Sequence, residues 1–422
     1  MDKLVIEGLR RLNGAVTVHG AKNSVLPLLA ASFLVHGETT LSNCPTLSDV
    51  AASCAILRHL GCTVRTDGDR ISVNTDGVCR GDIPHELMLQ MRSSIIFLGA
   101  IAARTGGAVM SFPGGCELGP RPIDLHIAAL KQLGVEIEET RGTLVCRVAG
   151  RLKGADIALS FPSVGATENV LIAASVAQGT TTLTGAACEP EIVDLCRYLN
   201  ACGARITGAG EGTIVIEGVE KLHGCEHRVI PDRIEAATYM AAAAVTGGSL
   251  ILKRVYPPHL KAVLPIFEEA GCHISAWEDE LLITAPARLR RLKTVRTMPY
   301  PGFPTDAAAP LMAMACVADG TSVFIENIFQ NRYKHVGELL RLGAHIKTEG
   351  RVAVVEGVPL LSGARVCCTD LRGGAALVVA GLAADGETEI EQLGHIDRGY
   401  QQLEQTLSAV GASIRRERDS IS

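Results

Sequence analysis

One thiol in this chain is carried where a thiol can move. Cys116 follows Pro113-Gly114-Gly115 and precedes Glu117-Leu118-Gly119-Pro120-Arg121-Pro122-Ile123-Asp124. Glycine and proline at this density forbid a helix or a central strand, so the stretch is a loop. A cysteine is ordinarily a small buried hydrophobe, and on such a loop burial is hard. Arg121 lies five residues on, where a guanidinium favours the thiolate and attracts anions. A loop cysteine taken alone is more often incidental than reactive, so its meaning depends on the other groups in the chain.

Those groups gather at the starts of six apolar helical stretches: 24–35, 93–103, 169–177, 236–245, 307–317 and 375–384. Each is apolar nearly all round and is expected to be buried on all sides. Their leading residues are Lys22-Asn23-Ser24, Arg92-Ser93-Ser94, Thr167-Glu168-Asn169, Arg233-Ile234-Glu235, Thr305-Asp306 and Arg372-Gly373. Caps favour Ser, Thr, Asp or Asn, and a cation opposes the positive end of a helix. Four basic starts of six therefore predict that anions bind there. Asp306 is the exception, at the end of the rigid approach Pro299-Tyr300-Pro301-Gly302-Phe303-Pro304. It reads as an ordinary first-turn acid or as a carboxylate placed among cations as a general base. Arg398, in His395-Ile396-Asp397-Arg398-Gly399-Tyr400, reads as a solvated arginine or a phosphate clamp. His126 reads better as a satisfied surface histidine than as a catalytic group.

The elements holding these residues repeat. A Leu/Ala-Gly-small helix end recurs with glycines at 61, 134, 203, 271, 343 and 411, stepping by 73, 69, 68, 72 and 68. Each glycine sits where a left-handed residue stops a helix. A second mark, glycine before a short Thr/Val-rich strand, recurs at 37, 107, 179, 248, 320 and 386. Two marks with matching periods define six units of strand, buried helix, strand, second helix and two strands. The motif Leu4-Val5-Ile6-Glu7-Gly8 returns at Ile214–Gly218 and Ala353–Gly357, and the sixth unit ends at Ser413-Ile414-Arg415 with little beyond. Residues 1 to about 20 are therefore expected to supply the missing strands of unit six. This gives a discontinuous domain, 1–21 with 230–422, and a second domain, 22–229, which carries the mobile cysteine loop at about 111–121. Each holds three units, and a ligand cleft is expected between such domains.

Composition excludes several classes. With 422 residues, two domains are the prior. A net charge of -5 and only 4% aromatic residues argue against nucleic acid as a partner. Apolar runs such as 377–384 fall far short of the roughly 18 residues a membrane span needs, and no signal peptide is visible at the start. None of the 14 cysteines forms a Cys-x-x-Cys pair, so zinc spacing is absent, and they read as reduced cytosolic thiols, mostly core fillers.

Ten stretches in order carry a family resemblance. They are Gly20–Asn23, Met91–Ser94, Pro113–Cys116, Arg121–His126, Phe161–Thr167, His227–Arg233, Gly302–Asp306, Asn331–Tyr333, Asp370–Arg372 and His395–Tyr400. In these the chain resembles the UDP-N-acetylglucosamine 1-carboxyvinyltransferases, the enolpyruvyl transferases that open peptidoglycan precursor synthesis. The resemblance implies a two-domain inside-out α/β barrel of six βαβαββ units, three per domain. It implies transfer of enolpyruvate from phosphoenolpyruvate to the 3-hydroxyl of UDP-N-acetylglucosamine, with release of phosphate, by addition and elimination in the cytoplasm. It implies no metal or organic cofactor.

Carried onto this sequence, Cys116 matches the acid that protonates the methylene carbon, can bond phosphoenolpyruvate and is alkylated by fosfomycin. Asp306 matches the base for the sugar hydroxyl. Lys22, Asn23, Arg121 and Arg398 match the phosphoenolpyruvate side. Arg92, Arg121, Pro122, Ile123, Asp124, Leu125, Ser163, Val164, Gly165, Asp306 and Ile328 match the UDP-sugar side, with Arg372 and His126 in support. The residue types suit the chemistry. Two polyanionic substrates need several cations to meet, and a mobile loop thiol can arrive last and exclude water. Departures are small: Glu117-Leu118 stands where Ala-Ile is common, and Ala307-Ala308 where bulkier residues are. The nearest rival, 5-enolpyruvylshikimate-3-phosphate synthase, lacks the Pro-Gly-Gly-Cys loop. An inactive UDP-sugar-binding paralogue would have no need of Cys116, Asp306 and Arg398 together.

Overall fold

The computed structural model describes residues 2–91, 93–111 and 123–418. These fall into two compact units, one formed by 20–230 and the other by 2–19 with 231–418. Each has its own apolar core, built mainly from Ala, Val, Leu and Ile.

All six apolar stretches are helices: Lys22–Ser32, Phe97–Thr105, Val164–Ala174, Arg233–Val245, Thr305–Cys316 and Leu371–Ala383. Every residue from Arg372 to Ala383 is buried, as expected of a helix apolar all round. Two starts differ from the sequence reading. The third helix begins at Val164, because Ser163 caps it by accepting from Ala166 N. Thr167-Glu168-Asn169 therefore lies inside the helix. The second begins at Phe97, after a 3-10 turn over Ser94–Ile96.

Each repeat ends on a four-stranded sheet, six in all among the described residues. Three strands come from the repeat and pair antiparallel; the fourth is a parallel edge strand lent by the preceding repeat. In the unit 20–230, Asp82–Ile83 leaves repeat one for the sheet of repeat two, Asp156–Ala158 leaves two for three, and Glu226–Arg228 returns from three to pair with Glu38–Ser42 of repeat one. In the other unit, Thr294–Arg296 passes from four to five and Arg365–Cys367 from five to six.

The N-terminal strands close that second cycle, and here the expectation is corrected. Lys3–Glu7 does complete unit six, pairing antiparallel with Glu387–Glu391 and Ser413–Glu417. Asn13–Thr17 does not join it but runs parallel to Ser249–Lys253 of unit four. The reason is the lending rule: the strand after each repeat belongs to the next sheet round.

The glycine marks have backbone causes. Gly61, Gly134, Gly203, Gly271, Gly343 and Gly411 have φ between 87° and 108°, the left-handed conformation a side chain resists. Gly8, Gly218 and Gly357, at the ends of the repeated Glu-Gly motif, each lie against a carbonyl oxygen at the close of a buried helix, from Ala384, Ala177 and Ala318. The next residues, Leu9, Val219 and Val358, donate N–H to Leu382, Ser175 and Cys316.

Candidate active site

In the unit formed by 2–19 and 231–418, three buried helices pack side by side, and their starts carry a network centred on Asp306. Asp306 is the second residue of Thr305–Cys316, set there by Pro304, whose extended backbone ends the approach. Its Oδ1 lies 2.7 Å from Arg332 Nη2 and its Oδ2 lies 3.1 Å from Arg372 Nη2. The two arginine side chains are 4% and 3% exposed, while that of Asp306 is 26% exposed. The carboxylate is thus partly exposed while both its cations are buried.

Each cation is tied down further. Arg332 Nη2 also donates to the carbonyl of Thr305 at 3.2 Å, and its guanidinium lies 5.5 Å from the Phe329 ring centroid. Arg372 Nη1 donates to Tyr400 Oη at 3.1 Å, and Tyr400 shares a 2.8 Å bond with Thr238 of the neighbouring helix. Burial opposes the Arg372 charge, but the Asp306 carboxylate, Tyr400 and Asp232 together outweigh it, so the guanidinium is held firmly protonated. Asp370 caps the helix carrying Arg372, accepting from the N–H groups of Arg372 and Gly373 at 2.9 Å. Glu326, 1% exposed, accepts from Ile328 N, Phe329 N and Thr305 Oγ1, which fixes the Ile328 loop beside the Asp306 helix start. Arg233 follows the Asp232 cap and stacks over the Tyr300 ring at 5.6 Å. Arg398 is half-buried at the end of the 3-10 turn Leu393–Arg398, two residues before Tyr400.

In the unit 20–230, Lys22 opens the helix Lys22–Ser32 and its Nζ lies 2.8 Å from Asp49 Oδ2, with side chains 9% and 1% exposed. Asn23 is next and half-buried. Ser24 Oγ donates to Asp194 Oδ2 at 2.5 Å, and Asp194 Oδ1 lies 3.0 Å from His227 Nε2. Asp194 thereby ties this helix start to the stretch 227–230 that ends the unit. Ser163, Val164 and Gly165 form the capped start of Val164–Ala174 and are half-buried. Ile123 is buried and Asp124 and Leu125 open the helix Asp124–Gln132, Asp124 exposed.

The cations at Lys22 and Arg372, where anions are expected to bind, meet carboxylates of the chain itself. One expectation changes. His126 is not a surface residue. It is 7% exposed, with Nδ1 2.8 Å from Asn169 Nδ2, and Asn169 in turn binds Gly99 N and the Ile95 carbonyl. A Cβ at Gly165 would come within 2.9 Å of its ring, so His126 fixes how two helices approach. Sequence assigns no role to Arg332, Glu326 or Tyr400, although Arg332 and Tyr400 stand in stretches that carry the resemblance. Arg92, Cys116, Arg121 and Pro122 lie outside the described residues.

A paired carboxylate at a helix start, backed by two buried guanidinium groups, can take a proton from a hydroxyl and leave cations to hold an anionic partner. The chain belongs to the EPSP synthase family: the family described as EPSP synthase (3-phosphoshikimate 1-carboxyvinyltransferase) matches residues 6–407. Within it, the relatives carry a narrower name. One called UDP-N-acetylglucosamine 1-carboxyvinyltransferase 2, from Caldanaerobacter subterraneus, is 51% identical over 99% of this chain and 100% of its own. Another, UDP-N-acetylglucosamine 1-carboxyvinyltransferase 1 from Symbiobacterium thermophilum, is 50% identical over 98% of this chain and 95% of its own. Among solved structures, the enolpyruvyl transferase NikO from Streptomyces tendae is 27% identical with a TM-score of 0.89, covering 98% of each chain. Among the described residues no helix is long and apolar enough to cross a membrane.

Proposed function

We propose that this chain transfers the enolpyruvyl group of phosphoenolpyruvate to the 3-hydroxyl of UDP-N-acetylglucosamine and releases inorganic phosphate, the entry to peptidoglycan precursors in the cytoplasm. The observation that carries the reading is the Asp306–Arg332–Arg372 cluster, in a chain half-identical nearly end to end to relatives named for that reaction. Asp306 takes the proton of the sugar hydroxyl as its oxygen attacks C2 of phosphoenolpyruvate. Cys116 delivers a proton to the methylene carbon. Loss of phosphate from the tetrahedral adduct, together with one proton from the new methyl group, then restores the double bond.

Lys22, Asn23, Arg121 and Arg398 hold phosphoenolpyruvate. Arg92, Pro122 to Leu125, Ser163 to Gly165 and Ile328 hold the UDP-sugar. The carboxylates now paired with Lys22 and Arg372 keep these cations ordered until the substrate anions share them, a charge-assisted exchange that leaves no buried ion unpaired.

Phosphate release, measured with UDP-N-acetylglucosamine and with shikimate 3-phosphate in turn, tests the reading. Release only with the UDP-sugar is expected; release only with shikimate 3-phosphate overturns it. Cys116→Ser should retain UDP-sugar binding and lose turnover, and fosfomycin should label Cys116 and no other residue, more readily with UDP-sugar present.

A further inference from the structure

Cysteine is plentiful in this chain and mostly inert. Every described cysteine is a free thiol, and burial pushes those of Cys44, Cys196, Cys272, Cys316 and Cys368 up to about 12. Two thiols meet: Cys202 Sγ lies 3.3 Å from Cys225 Sγ. A disulfide needs roughly 2.05 Å, so a shift of about 1.3 Å shared between two side chains would join them.

The backbones on both sides are pinned. Cys202 caps the end of the helix Pro190–Ala201, and its carbonyl accepts from His223 N at 2.9 Å. Cys225 precedes the strand Glu226–Arg228, and its carbonyl accepts from Thr40 N at 3.0 Å. The two sulfurs differ in access and in character. Cys202 is 0% exposed, whereas Cys225 is half-buried. Their mutual hydrogen bond, helped by His227 and His223 and opposed by burial, brings the Cys225 thiol down to about 7, while the same bond and burial push Cys202 up.

We propose that Cys202 and Cys225 form a peroxide-responsive dithiol site, with Cys225 as the attacking sulfur and Cys202 as the resolving one. The Cys225 thiolate attacks one oxygen of hydrogen peroxide, the O–O bond breaks, and the departing hydroxide takes up a proton as water. The Cys202 sulfur then attacks the Cys225 sulfenic sulfur, the S–O bond breaks, and the hydroxyl leaves with the Cys202 proton as a second water. Two thiols lose two electrons in all, and one peroxide becomes two waters. The product joins the end of Pro190–Ala201 to the strand that closes the cycle of sheets in this unit. That helix carries Asp194, which holds both Ser24 and His227.

Reduced full-length protein, treated with hydrogen peroxide, alkylated and digested without reductant, tests this by mass spectrometry. The expected product is one peptide pair joining Cys202 to Cys225, two hydrogens lighter than the separate peptides and released by dithiothreitol. Cys225→Ser should abolish the link, and Cys202→Ser should leave a Cys225 sulfenic acid that dimedone traps. Recovery of both peptides as unlinked thiols, or Cys225 joined to another cysteine, overturns the proposal. If Cys202→Ser does not fold, the wild-type map and Cys225→Ser still decide it.

Discussion

Asp306 draws together groups from three separate stretches, and its removal separates two effects. Asp306→Ala leaves Arg332 and Arg372 buried without that carboxylate, and breaking such a buried pair costs about 3–5 kcal/mol. Guanidinium denaturation should show that loss. Asp306→Asn keeps an acceptor for one guanidinium but cannot take a proton, so it should lose about 10²–10⁴-fold in turnover with a smaller loss of stability. Equal losses of both kinds in the two variants would assign Asp306 to structure alone. Nearby, His335 is 1% exposed. Burial, with Arg332 adding to it and Asp370 opposing, brings it down to about 4. The unfolded chain takes up this proton near pH 6.5, so stability should fall as pH drops from about 6.5 towards 4. An imidazole NMR titration should find His335 neutral in the folded chain at pH 5.5; a protonated ring there refutes the assignment.

At the scale of elements, the buried helices depend on what satisfies their first N–H groups. Asp232 and Asp370 each accept two of them. Asp370→Ala should therefore cost about 1 kcal/mol, and Asp370→Asn much less. Calorimetry on the two variants compares the costs directly. Gly357 marks the opposite kind of constraint, where backbone must approach backbone. A Cβ there would overlap the carbonyl oxygen of Ala318, at the point where Val358 N bonds the Cys316 carbonyl. Gly357→Ala should accumulate as insoluble protein, whereas Gly337→Ala, with open space and a helical backbone, should behave as wild type.

For the whole molecule, strand lending makes each unit a closed cycle of three sheets. A cycle of this kind has no independent repeat: removing one strand leaves a sheet edge bare and a core face uncovered. Deleting residues 1–19 takes the central partner from the sheet of unit six and the edge strand from unit four. The segment 231–418 should then fail to fold. Residues 20–230, whose cycle is closed by their own Glu226–Arg228, should show a cooperative unfolding transition when expressed alone. A cooperative transition for both fragments would show that the lent strands are dispensable.

How much of this was legible in the sequence follows from what each feature depends on. The six helix-ending glycines were readable because a left-handed φ is a demand made at one residue. The buried helices were readable because burial on all sides needs an apolar sequence all round. Cys116, Asp306 and the cations were readable as residue types, since chemistry limits which side chains can serve. Pairings were not. Nothing local distinguishes Asn13–Thr17 as a strand of unit four from one of unit six, because hydrogen bonds between strands are made by backbone that every residue shares. Nor does sequence show that Lys22 faces Asp49, that Arg332 backs Asp306, or that Cys202 touches Cys225 across 22 intervening residues. The chain's own residues determined its periodicity and its chemical repertoire; only tertiary structure decided which charge meets which, because proximity between distant residues is a property of the packed whole.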